Sequence, residues 1–172
     1  KYGALDRQIY SKLMSSDIFS YDFLEDITYY CIEHKARIVK DDEYDTCGLR
    51  KTLNLGHTTG HAFELYYGGM SHGEFVMTGA FYELFIARKL GICTGEYADN
   101  LIALIKSVLS VPAYENLGEA ARLALHDKKN SGGLISLIVP ESEGKSAEIK
   151  LNINEYAEYL YACAALLKKG EI

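Results

Sequence analysis

No apolar run in this 172-residue sequence approaches the roughly 20 residues that a membrane-spanning helix needs. Nor does the chain open with a secretory signal peptide. The four cysteines (Cys31, Cys47, Cys93 and Cys163) form no C-x-x-C pair and are too sparse for a disulfide framework. That usage reads as reduced thiols in a cytoplasmic protein. Basic residues are in deficit: 18 Lys and Arg face 24 Asp and Glu, a formal net charge of −6 with a pI near 5.4. A balance of that sign argues against a general nucleic-acid or membrane interface, though not against a local basic pocket for a small anion. No G-x-G-x-x-G follows a predicted strand, so the turn that seats a dinucleotide pyrophosphate is missing. Repeats, linkers and low-complexity tracts are absent as well.

What is present is globular. The chain is 48% apolar with a mean hydropathy of −0.08, and it is long enough to bury about 70% of its unfolded surface in one domain. Apolar periodicity predicts helices over about 4–14, 21–38, 49–66, 74–90, 97–109, 117–125 and 154–169. Two strands, 134–139 and 147–151, flank a turn at Pro140-Glu-Ser-Glu-Gly144. The expected fold is a single, compact, mainly α multi-helix domain spanning 1–172, with one small β-hairpin. The 74–90 segment has the broadest apolar face and is expected to be the central packing helix. Its aromatic surface from Phe75 to Phe85 would suit a homodimer. The acidic stretch from Lys40 to Gly48 reads as a loop, and His34 and His126 as ordinary surface histidines.

Chemistry concentrates in one stretch, Leu53-Asn-Leu-Gly-His57-Thr-Thr-Gly-His61-Ala-Phe-Glu64, followed by Ser71-His72-Gly-Glu74, which holds three of the five histidines. His57 and His61 are four apart and share a helix face. His72 follows a glycine-rich break that lets the chain fold back over that face. Two or three imidazoles plus a carboxylate make an open zinc site. The series Arg50, Asn54, His57, His61 advances by four, three and four, which on one continuous helix places all four on a single stripe. A stripe of cation, amide and imidazoles needs polar partners if it is buried, and a ligand supplies them. Gly56 and Gly60 admit close approach by a backbone or a ligand; a tightly packed G-x-x-x-G core helix is the plain alternative.

The run Asp42-Glu43…Gly48-Leu49-Arg50…Leu53-Asn54-Leu55-Gly56-His57-Thr58…Gly60-His61-Ala62…Glu64, then His72-Gly73-Glu74, resembles the C-terminal domain of 3-dehydroquinate synthase. Lys35-Ala36 and Asp127-Lys128-Lys129 match as well, so the likeness covers nearly the whole chain. The resemblance implies an NAD- and zinc-dependent (or cobalt-dependent) enzyme of the shikimate route. It closes 3-deoxy-D-arabino-heptulosonate 7-phosphate to 3-dehydroquinate with loss of phosphate. In the family zinc is held by one glutamate and two histidines, and the histidines match His57 and His72. Lys35, Arg50, Asn54, His61 and Lys129 match positions that grip the substrate's carboxylate, hydroxyls and phosphate. Asp45 matches an acidic position near the site, across a loop one residue longer than usual. Lys1, in the opening Lys1-Tyr2-Gly3, matches a substrate-contacting lysine, and Lys1, Asp45 and His61 are the implied catalytic set.

The family's metal-binding glutamate lies three residues upstream of that lysine. The expectation is therefore an excised domain, inactive alone, whose NAD+-binding N-terminal partner domain belongs to a parent of roughly 350 residues. With two imidazoles and no glutamate, metal affinity is expected to fall well below that of a three-ligand site. Two other readings stand beside this one. One is a sister sugar-phosphate cyclase or polyol dehydrogenase domain. The other is a helical binding or assembly domain without catalysis.

Overall fold

A computed structural model describes residue 4, residues 6–125 and residues 133–172. Lys1 and Lys129, with His126 and Lys128, lie outside the described residues. The order of elements is α1 (Arg7–Ser15), α2 (Tyr21–Asp41), a 3-10 turn (Leu49–Asn54), α3 (His57–Tyr67), α4 (His72–Lys89), α5 (Gly95–Val108), α6 (Leu117–Ala124), β1 (Leu134–Ser142), β2 (Lys145–Asn152) and α7 (Ile153–Lys169). The mainly α class with one antiparallel hairpin is as the periodicity predicts. Leu134 pairs with Asn152 at one end, and the register slips between Pro140 and Ser142 at the other. Both strands run further than expected, β1 continuing through Pro140, because a two-stranded sheet has only edges and an edge tolerates a proline.

The core is organised around α4, which buries twelve of its 18 residues, including Phe75, Phe81, Tyr82, Leu84 and Ile86. Helix α3 lies along it, the hairpin packs across it, and α7 closes the other side through Tyr156, Leu160 and Cys163. Burial this wide fits a central helix and corrects one expectation. Phe75 is 0%, Phe81 1% and Phe85 5% exposed, so the Phe75–Phe85 face is interior and offers nothing to a dimer partner. Among the described residues no helix is long and apolar enough to cross a membrane. Cys31, Cys47, Cys93 and Cys163 form no disulfide among the described residues.

Helices α3 and α4 touch backbone to backbone. A Cβ on Gly60 would stand 2.7 Å from the Phe75 carbonyl oxygen, and one on Gly79 would stand 2.2 Å from the Gly56 carbonyl oxygen. Gly60 is thus a packing glycine, as the plain reading of G-x-x-x-G has it. Gly56 does something further: its φ of 78° breaks the helix.

Candidate active site

That break overturns the single-stripe prediction. Leu49–Asn54 is a separate 3-10 turn; Leu55 and Gly56 leave helical geometry, and α3 begins afresh at His57. On a 3-10 turn residues three apart eclipse one another while residues four apart diverge. Arg50 and Asn54 therefore part company. The Arg50 guanidinium donates to the Glu43 carbonyl at 3.1 Å, whereas Asn54 lines a pocket of about 160 Å³ with Asp45, Lys51, Thr58, Ser136, Ile138 and Glu148. Lys35 stands exposed on α2, and none of the described contacts joins it to the histidines.

The histidines do come together. His57 and His61 lie one turn apart on α3, and His72 is the first residue of α4. Their ring centroids form a near-equilateral triangle of 5.3, 5.4 and 5.7 Å. One ligand atom from each lies within 4.8 Å of the others. A tetrahedral metal with bonds of about 2.0–2.1 Å holds its nitrogens about 3.4 Å apart, so side-chain rotations of about 1 Å would close the set. His57 and His61 are half-buried and His72 is 55% exposed, which leaves the triangle open on one side. The donor set fits a divalent transition metal.

Hydrogen bonds already orient two of the rings. His57 Nδ1 lies 3.1 Å from the Leu55 carbonyl oxygen; a carbonyl only accepts, so Nδ1 carries a proton, and in the neutral ring Nε2 has the lone pair. His72 Nδ1 lies 2.8 Å from Glu64 Oε2. The glutamate of His72-Gly73-Glu74 has another task. It accepts from the Ser71 backbone N–H at 2.8 Å and the Ser71 hydroxyl at 2.7 Å, completing the capping box of α4 and fixing where His72 enters. The same contacts hold the Glu74 carboxyl below its ordinary range.

Helix α3 begins on a glycine, which has no side chain to cap the first turn. Glu83, fully buried on α4, supplies the acceptor: it takes the Gly56 N–H at 2.7 Å and the Thr59 N–H at 3.0 Å. A carboxylate at this end also complements the helix dipole. Thr59 in turn accepts from the buried Tyr156 hydroxyl at 2.9 Å.

The loop before the 3-10 turn is built on Asp42. Burial pushes its carboxyl upward, but the N–H groups of Arg50, Cys47 and Thr46 outweigh that and hold it at about 2. In the neighbouring pocket Glu148 accepts from Ser136 Oγ at 2.7 Å and Lys51 Nζ at 3.1 Å, which lowers its pKa. Thr58 donates to the Ser136 carbonyl at 3.1 Å, so the hairpin holds both the 3-10 turn and the first turn of α3.

Sequence reasoning did not single out Glu83, Lys51, Ser136 or Glu148. A lone carboxylate in the apolar run Phe81-Tyr-Glu83-Leu-Phe was a legible signal for Glu83. The Lys51–Glu148 pair spans 97 residues and leaves no local trace. His34, expected at the surface, is 7% exposed and lies 3.0 Å from Asp6, because α1 and Asp6 fold over its face of α2. A further cavity, about 580 Å³ among Phe81, Phe85, Arg88, Asp99 and Leu166, shares no residue with the histidine triangle.

Residues 1–130 match the family described as 3-dehydroquinate synthase C-terminal. Among curated relatives, the 3-dehydroquinate synthase of Pyrobaculum aerophilum is 34% identical over 91% of this chain and 48% of its own length. That of Alkaliphilus metalliredigens is 38% identical over 76% of this chain and 38% of its own. The chain thus spans half or less of the length of these relatives. Among solved structures, a 2-deoxy-scyllo-inosose synthase complexed with carbaglucose-6-phosphate, NAD+ and Co2+ superposes with a TM-score of 0.67 at 21% identity, over 92% of this chain and 52% of that one, a likeness of fold.

Proposed function

This chain belongs to the 3-dehydroquinate synthase C-terminal family, and from that premise we propose that it is the metal- and substrate-binding part of an enzyme of that activity. The whole enzyme would close 3-deoxy-D-arabino-heptulosonate 7-phosphate to 3-dehydroquinate with release of phosphate. The observation that carries this reading is the triangle of His57, His61 and His72, open on one side. A helical assembly domain has no use for three converging imidazoles.

His57 and His72 would hold the metal, Zn2+ or Co2+. When bound there it would supply Lewis acidity to substrate hydroxyls and to a ketone. Arg50 and Lys35 supply positive charge for a carboxylate or phosphate, Arg50 in a planar, two-point geometry. Asn54 offers both a donor and an acceptor to a hydroxyl. His61, beside both metal-binding rings, and Asp45, in the lining of the polar pocket, would hold or move a proton. Lys1 and Lys129 lie outside the described residues, and only the sequence resemblance assigns them to the substrate. NAD+ would be held by the other half of a chain of the relatives' length, so the 172 residues alone are inactive in this reading. Much of the catalytic effect would come from holding a flexible, doubly anionic molecule in one pose.

In the full-length protein, His57→Ala should abolish both bound metal, read by elemental analysis, and phosphate release from the heptulosonate phosphate. A variant that keeps both overturns the assignment.

A further inference from the structure

Glu64 has no part in the reading above, yet it makes a direct side-chain hydrogen bond to one of the three rings. It lies on α3 one turn beyond His61, three residues on, and reaches across to α4 to meet His72 Nδ1 at 2.8 Å. The neighbouring His57 has its Nδ1 fixed by its own helix entry, at the Leu55 carbonyl. His72 is the first residue of its helix and more than half exposed, so it has no such local anchor. A free imidazole at that position divides its time between two tautomers and several ring orientations, and only some of these present Nε2 to the triangle.

We propose that Glu64 is the positioning residue of the metal site: by accepting the Nδ1 proton of His72 it fixes the tautomer that leaves Nε2 for the metal. The proposal rests on the metal reading above and adds a residue to it. The physical case has three parts. A carboxylate cannot donate, so the 2.8 Å contact puts the proton on Nδ1. A metal takes the unprotonated nitrogen, so the ring must present Nε2 to the triangle. The bond further ties α3 to the start of α4, so His72 is held against the two histidines of α3 and not merely near them. Glu64 is 37% exposed and only half-buried, so truncation is expected to leave the fold intact.

The test uses the full-length protein, as for His57→Ala, and two readouts that do not require turnover. Nitrogen-15 long-range NMR of the metal-free protein should find His72 protonated on Nδ1; in Glu64→Ala it should redistribute toward protonation on Nε2. Titration with Co2+, followed by its visible ligand-field bands, should show Glu64→Ala weakening binding by about 10- to 100-fold, with Glu64→Gln recovering part of the loss through its remaining carbonyl acceptor. An unchanged His72 tautomer in Glu64→Ala overturns the proposal, and so does a changed tautomer with unchanged Co2+ affinity. Should the full-length wild type bind no Co2+ while its His72 tautomer is locked, the metal reading itself falls and takes the positioning role with it, an outcome distinct from the other two.

Discussion

Glu83 is a fully buried carboxylate with its two oxygens spent on two backbone N–H groups of another helix, those of Gly56 and Thr59. An unsatisfied buried donor costs about 1–3 kcal/mol, so Glu83→Ala should destabilise the chain by about 2–5 kcal/mol, counting both donors less what water recovers. Glu83→Gln keeps one acceptor and turns an NH2 toward the second donor; its loss should be smaller but measurable. Urea unfolding of the three proteins checks the order, and equal midpoints would remove Glu83 from the cap. At this scale the sequence was legible where function is written locally. His57, His61 and His72 fall within 16 positions, and their spacing foretold a cluster. The residues that support the cluster were not legible, because their partners lie far away: Glu83 on Gly56 across 27 positions, Lys51 on Glu148 across 97.

At the scale of elements, the periodicity placed every helix but mistook two for one between Leu49 and Tyr67. The polar series Arg50, Asn54, His57, His61 fits a continuous helix in spacing, and nothing in the spacing reveals that Gly56 sits at φ 78°. The reason becomes visible only with α4 in place: Gly56, Gly60 and Gly79 let two backbones meet, and a Cβ at any of them would strike main-chain or Cβ atoms. Overpacking of this kind costs about 1–3 kcal/mol where neighbours can yield. Gly60→Ala should fall within that range. Gly79→Ala, whose Cβ would stand 2.2 Å from a carbonyl oxygen and 2.4 Å from a backbone nitrogen, should exceed it. Because the same contact sets α3 against α4, Gly60→Ala should also weaken Co2+ binding by drawing His57 and His61 away from His72. Thermal unfolding together with the Co2+ titration separates these effects, and a destabilised variant with wild-type affinity would show that the triangle tolerates a shift of the helices.

Across the whole molecule, the segments that carry polar chemistry are held to the core by carboxylates, which gives stability a definite dependence on acid. Asp6 caps α1 and bonds His34 and Arg37 of α2 at 3.0 Å each; burial raises its pKa, but the backbone and side-chain donors together lower it below 3.8. Asp42 gathers the loop ahead of the 3-10 turn and is held at about 2. Glu148, tied to Ser136 and Lys51, is likewise lowered from 4.5. A carboxyl depressed in the folded state binds fewer protons there than in the unfolded chain, so stability rises with pH while the unfolded form is still titrating. The contribution is therefore complete above the unfolded values near 4 to 4.5 and drains away as pH falls toward the folded values, about 2 for Asp42. Urea midpoints should thus be level between pH 7 and 5.5 as far as these groups are concerned, and fall steadily from about pH 4.5 to 2. Asp42→Asn, which keeps one acceptor and removes the charge, should lower the midpoint at pH 6 and flatten the decline below pH 4. An Asp42→Asn chain that loses stability in acid as steeply as the wild type would place the acid-sensitive contacts elsewhere, with Asp6 at the join of α1 and α2 the next to substitute.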